Sequence, residues 1–306
     1  MTTKPLVLEG IYTPIAAPFD ADGDLDLDAY AKVIEHCVAN GVRGLVPNGT
    51  TGEYYAMSSD ERERVFVHAR DVAAGRAQLI AGCNAGSTRE AIRFSQFACD
   101  LGYDAVMLAA PPTSLPTQRE LAAHIAAIAA EGGLPVVLYN YPARAGVEMG
   151  FECLDAVADL PGIVAIKESS GDFSRFLAMR DRYAGRIEIM CGSDDQAADY
   201  FLWGVRSWLA GTSNVLPRQH VDVLAASLRG DHAGAAKLFG AILPWVQNME
   251  AGSYNQKIKL GLEHVGIPCG RVRQPLLPLL DDAAAENLRV LDAAMTAFRR
   301  VAACAE

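Results

Sequence analysis

The sequence lacks the cysteine and histidine patterns that build metal centres and disulfide frameworks. Its seven cysteines are scattered, odd in number and without a CxxC spacing, which favours reduced, packed thiols. Its six histidines form neither HxH nor HExxH, so the sequence predicts no metal site. No GxGxxG follows the first predicted strand, and the nearest phosphate-loop pattern, at residues 44–51, has no lysine.

Positive charge and long apolar runs are also scarce. The net charge of −10 and the pI of about 5.1 argue against nucleic acid and anionic membrane surfaces as partners. No apolar stretch approaches the roughly 18 residues of a membrane span, and residues 1–14 hold no long apolar segment typical of a signal peptide. Because 51% of the 306 residues are hydrophobic, a large core can form, and we expect a soluble cytoplasmic protein.

What the sequence does contain is a regular alternation of short apolar runs with amphipathic segments. Strands are predicted at residues 10–18, 44–48, 78–84, 105–111, 135–142, 163–169, 188–194 and 207–214. Helical patterns lie between them, for example at residues 26–40, 58–74, 88–101 and 117–131. Eight βα units are the number that closes a (β/α)8 barrel. An open doubly wound sheet is the alternative, but it usually carries fewer strands.

The strand signal stops near residue 217. Residues 217–228, 233–249, 254–265 and 282–303 have helical patterns, and the first of these helices completes the barrel. The sequence therefore predicts an α/β fold in two parts. A (β/α)8 TIM barrel is expected over residues 1–230, and a C-terminal helical extension over residues 231–306.

One predicted strand ends in an unexpected residue. Residues 163–166, IVAI, form an apolar run typical of a strand buried on both faces, and Lys167 follows directly. Burial of an unpaired ammonium is costly and lowers its pKa, and a neutral lysine is a nucleophile. The alternative is that Lys167 pairs with Glu168 or extends its ammonium group to water.

Barrel chemistry belongs to the C-terminal ends of the strands, and this rule gathers further candidates around Lys167. Tyr139 ends the fifth strand and is expected to move protons, with its pKa lowered by the neighbouring cation. The loop 49–52 offers amides and two hydroxyls to a carboxylate, and Arg144 offers a second anion site. Together these residues predict attack of Lys167 on the ketone of a small 2-oxo acid, which gives a Schiff base.

Each candidate also has a purely structural alternative. The loop 49–52 is a tight turn whatever it binds, and Tyr139 can pack at the barrel mouth. Arg144 can pair with Glu148 or Glu152 at the surface. The acidic pair at 194–195 can cap the helix that follows the seventh strand. The conjunction of all these residues at one edge of one barrel favours the functional interpretation.

Six stretches carry a resemblance to a known family. They are TPIAAPFDADGDLD (13–26), GLVPNGTTGEYYAMSSDER (44–62), IAGCNAGSTREAI (80–92), LYNYPARAG (138–146), IVAIKESSGD (163–172) and CGSDD (191–195). The chain resembles the dihydrodipicolinate synthase / N-acetylneuraminate lyase family of class I, Schiff-base-forming, pyruvate-dependent aldolases. The resemblance covers essentially the whole chain.

This resemblance implies a TIM barrel with a C-terminal helical part, assembled as a homotetramer that is a dimer of dimers. It implies that Lys167 forms the Schiff base with pyruvate or another 2-oxo acid, so that no cofactor or metal is needed. Tyr139 matches the family's catalytic tyrosine. Thr50 and Thr51 match the positions that bind the pyruvate carboxylate, and Thr50 also belongs to the proton relay.

Features of the dihydrodipicolinate synthases are only partly present. Arg144 matches the arginine that holds the carboxylate of the aldehyde substrate in those enzymes. Their tyrosine pair after the fourth strand, one member of which reaches the neighbouring subunit's site, is replaced by Pro112 and Thr113. Gly86 replaces the asparagine used for lysine feedback, although Glu90 is kept.

Other positions match the sugar-acid lyases of the same family. Ser169, Asp194 and Asp195 stand where those enzymes hold substrate hydroxyls, and short carboxylates and hydroxyls suit a polyhydroxylated chain. The predicted catalytic residues are Lys167, Tyr139 and Thr50. The predicted substrate-binding residues are Thr51, Gly52, Arg144, Ser169, Gly192, Asp194, Asp195 and Thr212.

The sequence thus predicts a lyase that makes, breaks or dehydrates a small 2-oxo acid such as a 2-keto-3-deoxy acid, with pyruvate as product or donor. The first alternative is a 4-hydroxy-tetrahydrodipicolinate synthase, which condenses pyruvate with aspartate semialdehyde. The second is a barrel that binds a 2-oxo acid without turnover, which would not need both Lys167 and Tyr139.

Overall fold

Parallel strands that follow one another in the chain close into a barrel in the computed structural model, which describes residues 6–304. Each strand pairs with the next, and the last pairs with the first. Within the described residues the strands are β1 (Gly10–Thr13), β2 (Gly44–Leu45), β3 (Gln78–Gly82), β4 (Ala105–Ala109), β5 (Val136–Asn140), β6 (Ile163–Glu168), β7 (Glu188–Cys191) and β8 (Ser207–Leu209). The predicted (β/α)8 barrel is confirmed. Its strands are shorter than the predicted runs because those runs continue into the loops at the strand ends.

Helices surround the barrel and continue beyond it. They are α1 (Leu27–Ala39), α2 (Ser59–Ala73), α3 (Thr88–Asp100), α4 (Gln118–Glu131), α5 (Pro142–Ala145), α6 (Phe151–Val157), α7 (Phe173–Arg182), α8 (Ala197–Leu202), α9 (Pro217–Leu228), α10 (His232–Glu250), α11 (Tyr254–His264) and α12 (Asp281–Ala303). Every helix predicted from the apolar periodicity is present to within two residues at each end.

Hydroxyl side chains fix the starts of two helices that follow site loops. Ser58 accepts a hydrogen bond from the Glu61 amide at 3.2 Å, and the Glu61 carboxylate accepts one from the Ser58 amide at 2.8 Å. Ser87 accepts from the amide of Glu90 at 3.3 Å. These caps satisfy orphan amides of the first turn, so they determine where the loops after β2 and β3 must end.

Apolar side chains form two layers, one inside the barrel and one between the strands and the helices. The interior layer contains Tyr12, Val46, Ile80, Met107, Val137, Met190 and Leu209, and the outer layer packs the strands against the helices. Tyr139 on β5 and Lys167 on β6 are register partners. Since side chains alternate between the faces of a strand, register partners of adjacent strands point to the same face. Both residues therefore point into the barrel at its C-terminal end.

The C-terminal helices reach back over the barrel. Helix α10 packs against α9 and α12, and the turn at residues 251–253 leads into α11. The division of the chain into two parts at residue 230 stays a prediction. Residues 1–5 of the first part and residues 305–306 of the second lie outside the described residues. No helix within residues 6–304 is both long and apolar enough to cross a membrane.

Candidate active site

A cavity of about 230 Å³ opens at the C-terminal ends of the strands, where the sequence places the site. Its wall combines strand ends, the loops after them and the first residues of α11. It is lined by Thr50, Thr51, Tyr139, Tyr141, Arg144, Lys167, Ser169, Ser170, Gly171, Gly192, Ser193, Asp194, Asp195, Gly211, Glu250, Tyr254 and Asn255.

Lys167 lies in the cavity wall with only 7% of its surface exposed. Its Nζ lies 4.3 Å from the centroid of the Tyr139 ring. It forms no ion pair with any residue of the described chain. Burial lowers the pKa of Lys167 to about 8, against the opposing influence of Asp194 and Glu250. The predicted lowering is confirmed, and an appreciable fraction of the amine is neutral near neutral pH.

Glu168 does not pair with Lys167. Its carboxylate faces away from the cavity, accepting hydrogen bonds from Asn140 Nδ2 at 3.0 Å and from Arg175 Nε at 3.3 Å. The Ser170 amide donates to the same carboxylate at 2.7 Å. Because neighbouring residues of a strand point to opposite faces, the ion-pair alternative for Lys167 is wrong.

Tyr139 differs from the sequence expectation in one respect. Its side chain is 6% exposed and lines the cavity beside Lys167. Burial raises the pKa of Tyr139, and Tyr141 raises it further, so the predicted lowering is wrong. Nearby positive charge, to which Arg144 contributes, does not offset the cost of burying a phenolate. Tyr139 therefore enters the reaction as a protonated phenol.

The loop after β2 presents two threonines to the cavity. The Gly52 amide donates to the Gly49 carbonyl at 3.0 Å, and the Glu53 amide donates to the Thr50 carbonyl at 3.1 Å. The amides of Thr50 and Thr51 make no hydrogen bond within residues 6–304, so they and the two hydroxyls remain for an anion. The loop is both a tight turn and part of the cavity wall.

Gly52, predicted to bind substrate, does not line the cavity. A Cβ at this position would lie 2.8 Å from the Ile15 carbonyl oxygen. The glycine is required because the loop packs closely against the chain that follows β1.

Residues far along the chain hold this loop in place. Glu53 has a left-handed backbone, with φ of +54°, and a fully buried carboxylate. Lys259 of α11 forms an ion pair with it at 2.8 Å, and the Arg273 amide donates to it at 3.0 Å. Asn255 Nδ2 donates to the Thr50 carbonyl at 3.2 Å. The C-terminal helices thus position the threonines.

Gly192 and Ser169 complete the wall next to Lys167. A Cβ on Gly192 would lie 2.6 Å from Lys167 Cγ and 2.7 Å from Lys167 Cε, so only glycine leaves room for the lysine. Ser169 is 8% exposed, and its hydroxyl has no hydrogen-bond partner within the described part of the chain. A buried hydroxyl without a partner costs free energy unless a ligand completes it.

The rim of the cavity carries exposed charges. Arg144 and Asp195 both line the opening and are exposed. Arg144 lies 5.8 Å from the Tyr141 ring and forms no ion pair within residues 6–304, while Glu148 lies 3.6 Å from Arg175 instead. The structural alternative, in which Arg144 pairs with Glu148 or Glu152 at the surface, is therefore wrong. Partial burial and Asp194 raise the pKa of Asp195.

Asp194 lines the cavity as the sequence predicts, whereas Thr212 does not. Asp194 is 2% exposed, and its carboxylate accepts a hydrogen bond from Trp208 Nε1 at 2.8 Å. It does not cap a helix. Thr212 is fully buried, and its hydroxyl lies 3.0 Å from Asp194 Oδ2 and 2.8 Å from His220 Nε2. Thr212 therefore lies behind Asp194 and does not line the cavity.

Sequence reasoning missed the residues that the C-terminal helices contribute. Glu250, Tyr254 and Asn255 line the cavity, and the Tyr254 hydroxyl lies 3.0 Å from Asp194 Oδ2. Burial, with Asp194 and Asp195 nearby, raises the pKa of Glu250 to about 7, although its outer edge is open to solvent. The break EAGS between two amphipathic helices was the available signal.

Carboxylates cluster in this cavity without forming a metal centre. Within residues 6–304 no three histidine, cysteine, aspartate or glutamate side chains are placed to bind a metal ion. The carboxylates instead surround a lysine that has no fixed partner.

Known proteins are similar to this chain in sequence and in fold. A 4-hydroxy-tetrahydrodipicolinate synthase of Exiguobacterium sp. is 36% identical over 283 residues, which cover 92% of this chain and 97% of that one. A dihydrodipicolinate synthase of Acinetobacter baumannii, solved with pyruvate, has a TM-score of 0.91 and 32% identity, covering 94% and 99% of the two chains. A synthase of Methylacidiphilum fumariolicum has a TM-score of 0.91 and 29% identity, covering 96% and 98%.

The protein is a class I aldolase-type lyase, built on a (β/α)8 barrel. The Dihydrodipicolinate synthetase family model matches residues 7–294. This chain therefore belongs to the dihydrodipicolinate synthetase family, whose enzymes work through a covalent Schiff base between lysine and pyruvate and use no external cofactor. Membership of a family of lyases favours a catalytic barrel over one that binds a 2-oxo acid without turnover.

Proposed function

We propose that this chain is a Schiff-base lyase that makes, breaks or dehydrates a small 2-oxo acid such as a 2-keto-3-deoxy acid. The observation that carries the proposal is Lys167, a buried lysine without a carboxylate partner beside the Tyr139 ring. A neutral amine attacks the C2 ketone and loses water to give an imine. The protonated imine withdraws electrons from C3, so that a C3–C4 or C4–O bond can break.

The reacting end of the substrate is assigned to the floor of the cavity. Lys167 is the nucleophile, and Tyr139 with Thr50 moves protons to and from the imine. The hydroxyl and free amide of Thr51 hold the C1 carboxylate, together with the amide of Thr50. The raised pKa of Tyr139 supports a role as proton donor first, because its phenol is protonated when the substrate arrives.

The distal end is assigned to the upper wall. Ser169 offers a buried hydroxyl without a partner, and Asp195 offers a carboxylate that accepts from substrate hydroxyls. Arg144 stands at the rim and suits a distal carboxylate. A chain with hydroxyls and a second carboxylate satisfies these groups better than a simple aldehyde does, which favours a 2-keto-3-deoxy acid.

A second candidate function is 4-hydroxy-tetrahydrodipicolinate synthase. It is favoured by the activity for which the similar proteins are named and by Arg144, which is free to bind the carboxylate of aspartate semialdehyde. Against it, Pro112 and Thr113 replace the tyrosine pair of the resembling synthases, and neither side chain supplies a phenol.

The decisive test of the chemistry is the intact mass after incubation with pyruvate and sodium borohydride. We expect a reduced adduct on the wild type and none on Lys167→Ala. Absence of an adduct on the folded wild type would overturn the assignment of Lys167 to pyruvate.

The substrate is tested by two turnover assays on the same preparation. One couples pyruvate with aspartate semialdehyde, and the other follows 2-keto-3-deoxyglucarate, which carries hydroxyls and a second carboxylate. We expect turnover in the second. Turnover in the first alone, lost in Arg144→Ala but kept in the exposed control Arg64→Ala, would establish the synthase instead.

We further propose that the chain assembles as a homotetramer, a dimer of dimers, in line with the family resemblance. Tyr55 and Leu115 keep 46% and 59% of their surfaces exposed, which leaves apolar surface for a second copy to cover. Light scattering over a range of concentrations tests this, and a mass of 32.7 kDa at all concentrations would contradict it.

A further inference from the structure

A continuous row of polar side chains connects the cavity with a buried histidine. The Tyr254 hydroxyl lies 3.0 Å from Asp194 Oδ2, which lies 3.0 Å from Thr212 Oγ1, which lies 2.8 Å from His220 Nε2. Tyr254 and Asp194 line the cavity, whereas Thr212 and His220 are fully buried. Gly211 permits this row, because a Cβ there would collide with the Tyr254 phenol.

We propose that a proton relay runs through Tyr254, Asp194, Thr212 and His220. The relay holds one proton more than it would if the aspartate were ionised and the histidine neutral. It gives this proton to an oxygen that leaves the distal half of the substrate. The inference rests on the proposed Schiff-base function. It selects elimination of water as the reaction of this site, above carbon–carbon cleavage.

The hydrogen-bond geometry fixes the number of protons. His220 Nδ1 lies 2.7 Å from the Leu216 carbonyl oxygen, and a carbonyl only accepts, so Nδ1 carries a proton. In a neutral imidazole Nε2 then only accepts, and the single proton of Thr212 must be donated to it. The contact of 3.0 Å between Thr212 and Asp194 is left without a proton unless one is added.

The added proton has two equivalent places. It can sit on Asp194 Oδ2, which then donates to Thr212, whose hydroxyl donates to Nε2. It can also sit on Nε2, which then donates to Thr212, whose hydroxyl donates to Asp194. A swing of the Thr212 hydroxyl exchanges the two states, so the proton is shared along the row. Without the added proton, Thr212 can donate to only one of its two neighbours, and its contact with the other joins two acceptors with no proton between them.

The surroundings of His220 disfavour the state with the added proton on its ring. Burial lowers the pKa of His220 to about 4, and its ring packs 4.4 Å from that of Trp208. The cavity side of Asp194 faces two further carboxylates, those of Asp195 and Glu250, and Cys191 and Tyr139 stand nearby as neutral groups. Two cations of the cavity oppose them, Lys167, whose own pKa is lowered, and Arg144 at the rim.

The same contacts explain why Asp194 does not simply hold Lys167 as an ion pair. Asp194 is the strongest of the influences that raise the pKa of Lys167. A proton on Asp194 removes that influence, so the amine of Lys167 loses its proton more readily. Protonation of the relay and activation of the nucleophile therefore support each other.

The proposed step is balanced as follows. Tyr139 gives its proton to the hydroxyl that leaves as water when the imine forms, and the resulting phenolate takes a C3 proton, so that the imine on Lys167 becomes an enamine. The enamine electrons form the C3–C4 double bond while the C4–O bond breaks, with both of its electrons going to oxygen. Tyr254 donates its proton to that oxygen, water leaves, and Asp194 returns a proton to Tyr254. Solvent recharges the relay after the unsaturated product has been released from Lys167 by hydrolysis.

The proton count can be measured without substrate. Infrared difference spectra at pH 7 compare wild type with Asp194→Asn, and ¹⁵N spectra compare wild type with His220→Met. We expect either the carbonyl band of an un-ionised carboxyl group that Asp194→Asn removes, or a doubly protonated imidazole that His220→Met removes. An ionised Asp194 together with a neutral His220 would overturn the proposal.

The role in turnover is tested at Thr212 with isosteric partners. Thr212→Val removes the link at constant shape, and Thr212→Ser restores the hydroxyl. With 2-keto-3-deoxyglucarate we expect elimination to fall on the order of 10²-fold in Thr212→Val and by less than about threefold in Thr212→Ser. The descending limb of the wild-type pH profile, where the relay loses its proton as pH rises, should be displaced to lower pH in Thr212→Val.

Borohydride trapping of pyruvate separates the possible failures. No adduct on the wild type would overturn the proposed function itself. An adduct on the wild type and on Thr212→Val, with equal elimination rates and unshifted pH profiles, would overturn the relay alone. Adduct formation by a variant also shows that its cavity is folded.

Discussion

The surroundings of two buried lysines, Lys167 and Lys259, are alike in most respects. Lys167 is 7% exposed and Lys259 is 2% exposed. Each ammonium lies over an aromatic ring, at 4.3 Å from the centroid of Tyr139 and at 4.2 Å from that of Phe19. Burial lowers the pKa of both. By composition and burial, neither would stand out as the nucleophile.

The difference lies in the partners. Lys259 forms an ion pair with Glu53 at 2.8 Å and donates to the Arg271 carbonyl at 2.7 Å, so its charge is compensated and fixed. Lys167 has no such partner within the described residues and faces open space. A lysine becomes a nucleophile when burial is combined with a missing partner and room for a substrate, whereas burial with a partner gives a structural tie.

The largest expected effect comes from Lys167→Met. Turnover should fall by a factor on the order of 10⁴ or more, because the covalent intermediate is lost. The free energy of unfolding should stay level or rise by up to about 2 kcal/mol, since an unpaired buried ammonium is replaced by an apolar chain of similar length. Urea denaturation and the turnover assay measure the two quantities. A loss of stability would show that Lys167 is compensated after all.

Lys259→Met should have the opposite effect on stability. It leaves the buried carboxylate of Glu53 without its cation, which we expect to cost about 3–5 kcal/mol of unfolding free energy. The double variant Lys259→Met/Glu53→Gln should recover part of that loss, because the unpaired charge is gone. Urea denaturation of the wild type, Lys259→Met, Glu53→Gln and the double variant gives the coupling. Additive losses would mean that the two side chains do not act as a pair.

The space around Lys167 is tested by Gly192→Ala. The new methyl group would occupy the place of the lysine stem, so turnover should fall on the order of 10²-fold through misplacement of Nζ. Gly240→Ala is the matched control, because its Cβ would meet nothing within 4 Å in helix α10. Equal activity of the two variants would show that the stem of Lys167 is free to move aside.

The smallest effect concerns the charges at the cavity mouth. Imine formation requires the neutral amine, so its rate should rise with pH through a midpoint of about 8 in the wild type. Glu250 raises the pKa of Lys167, and Glu250→Gln should therefore lower the midpoint by a few tenths of a unit, a small change because solvent screens Glu250. Glu131→Gln, at the opposite end of the barrel, should leave the midpoint unchanged. A midpoint that rises in Glu250→Gln would reverse the assigned sign.

Strands and the residues directly after them were accessible to sequence reasoning. Apolar runs and the barrel rule place Lys167 and Tyr139 at the same edge, and the parallel register then makes them neighbours. The alternation of side chains along a strand predicts that Lys167 and Glu168 point to opposite faces. The sequence cannot say which of the two points inward.

Contacts between distant parts of the chain were not accessible in this way. Thr212 has the hydroxyl and the position of a substrate-binding residue, yet its hydrogen bonds are directed to Asp194 and His220. Tyr254 belongs to a helix that looked peripheral, because amphipathic periodicity reports only that one face is buried. The predicted direction of the pKa shift of Tyr139 was wrong because desolvation depends on three-dimensional burial.

The buried tie between Glu53 and Lys259 has a consequence for the history of the chain. The loop that presents Thr50 and Thr51 is held in its left-handed turn by residues some 200 positions further on, at Lys259 and Arg273. A recombination that exchanged the last helices alone would leave the buried carboxylate of Glu53 without its cation, and the loop of Thr50 and Thr51 would lose its support. The two ends of the chain are therefore expected to be inherited together, as a single heritable unit, even where the substrate of the barrel between them changes.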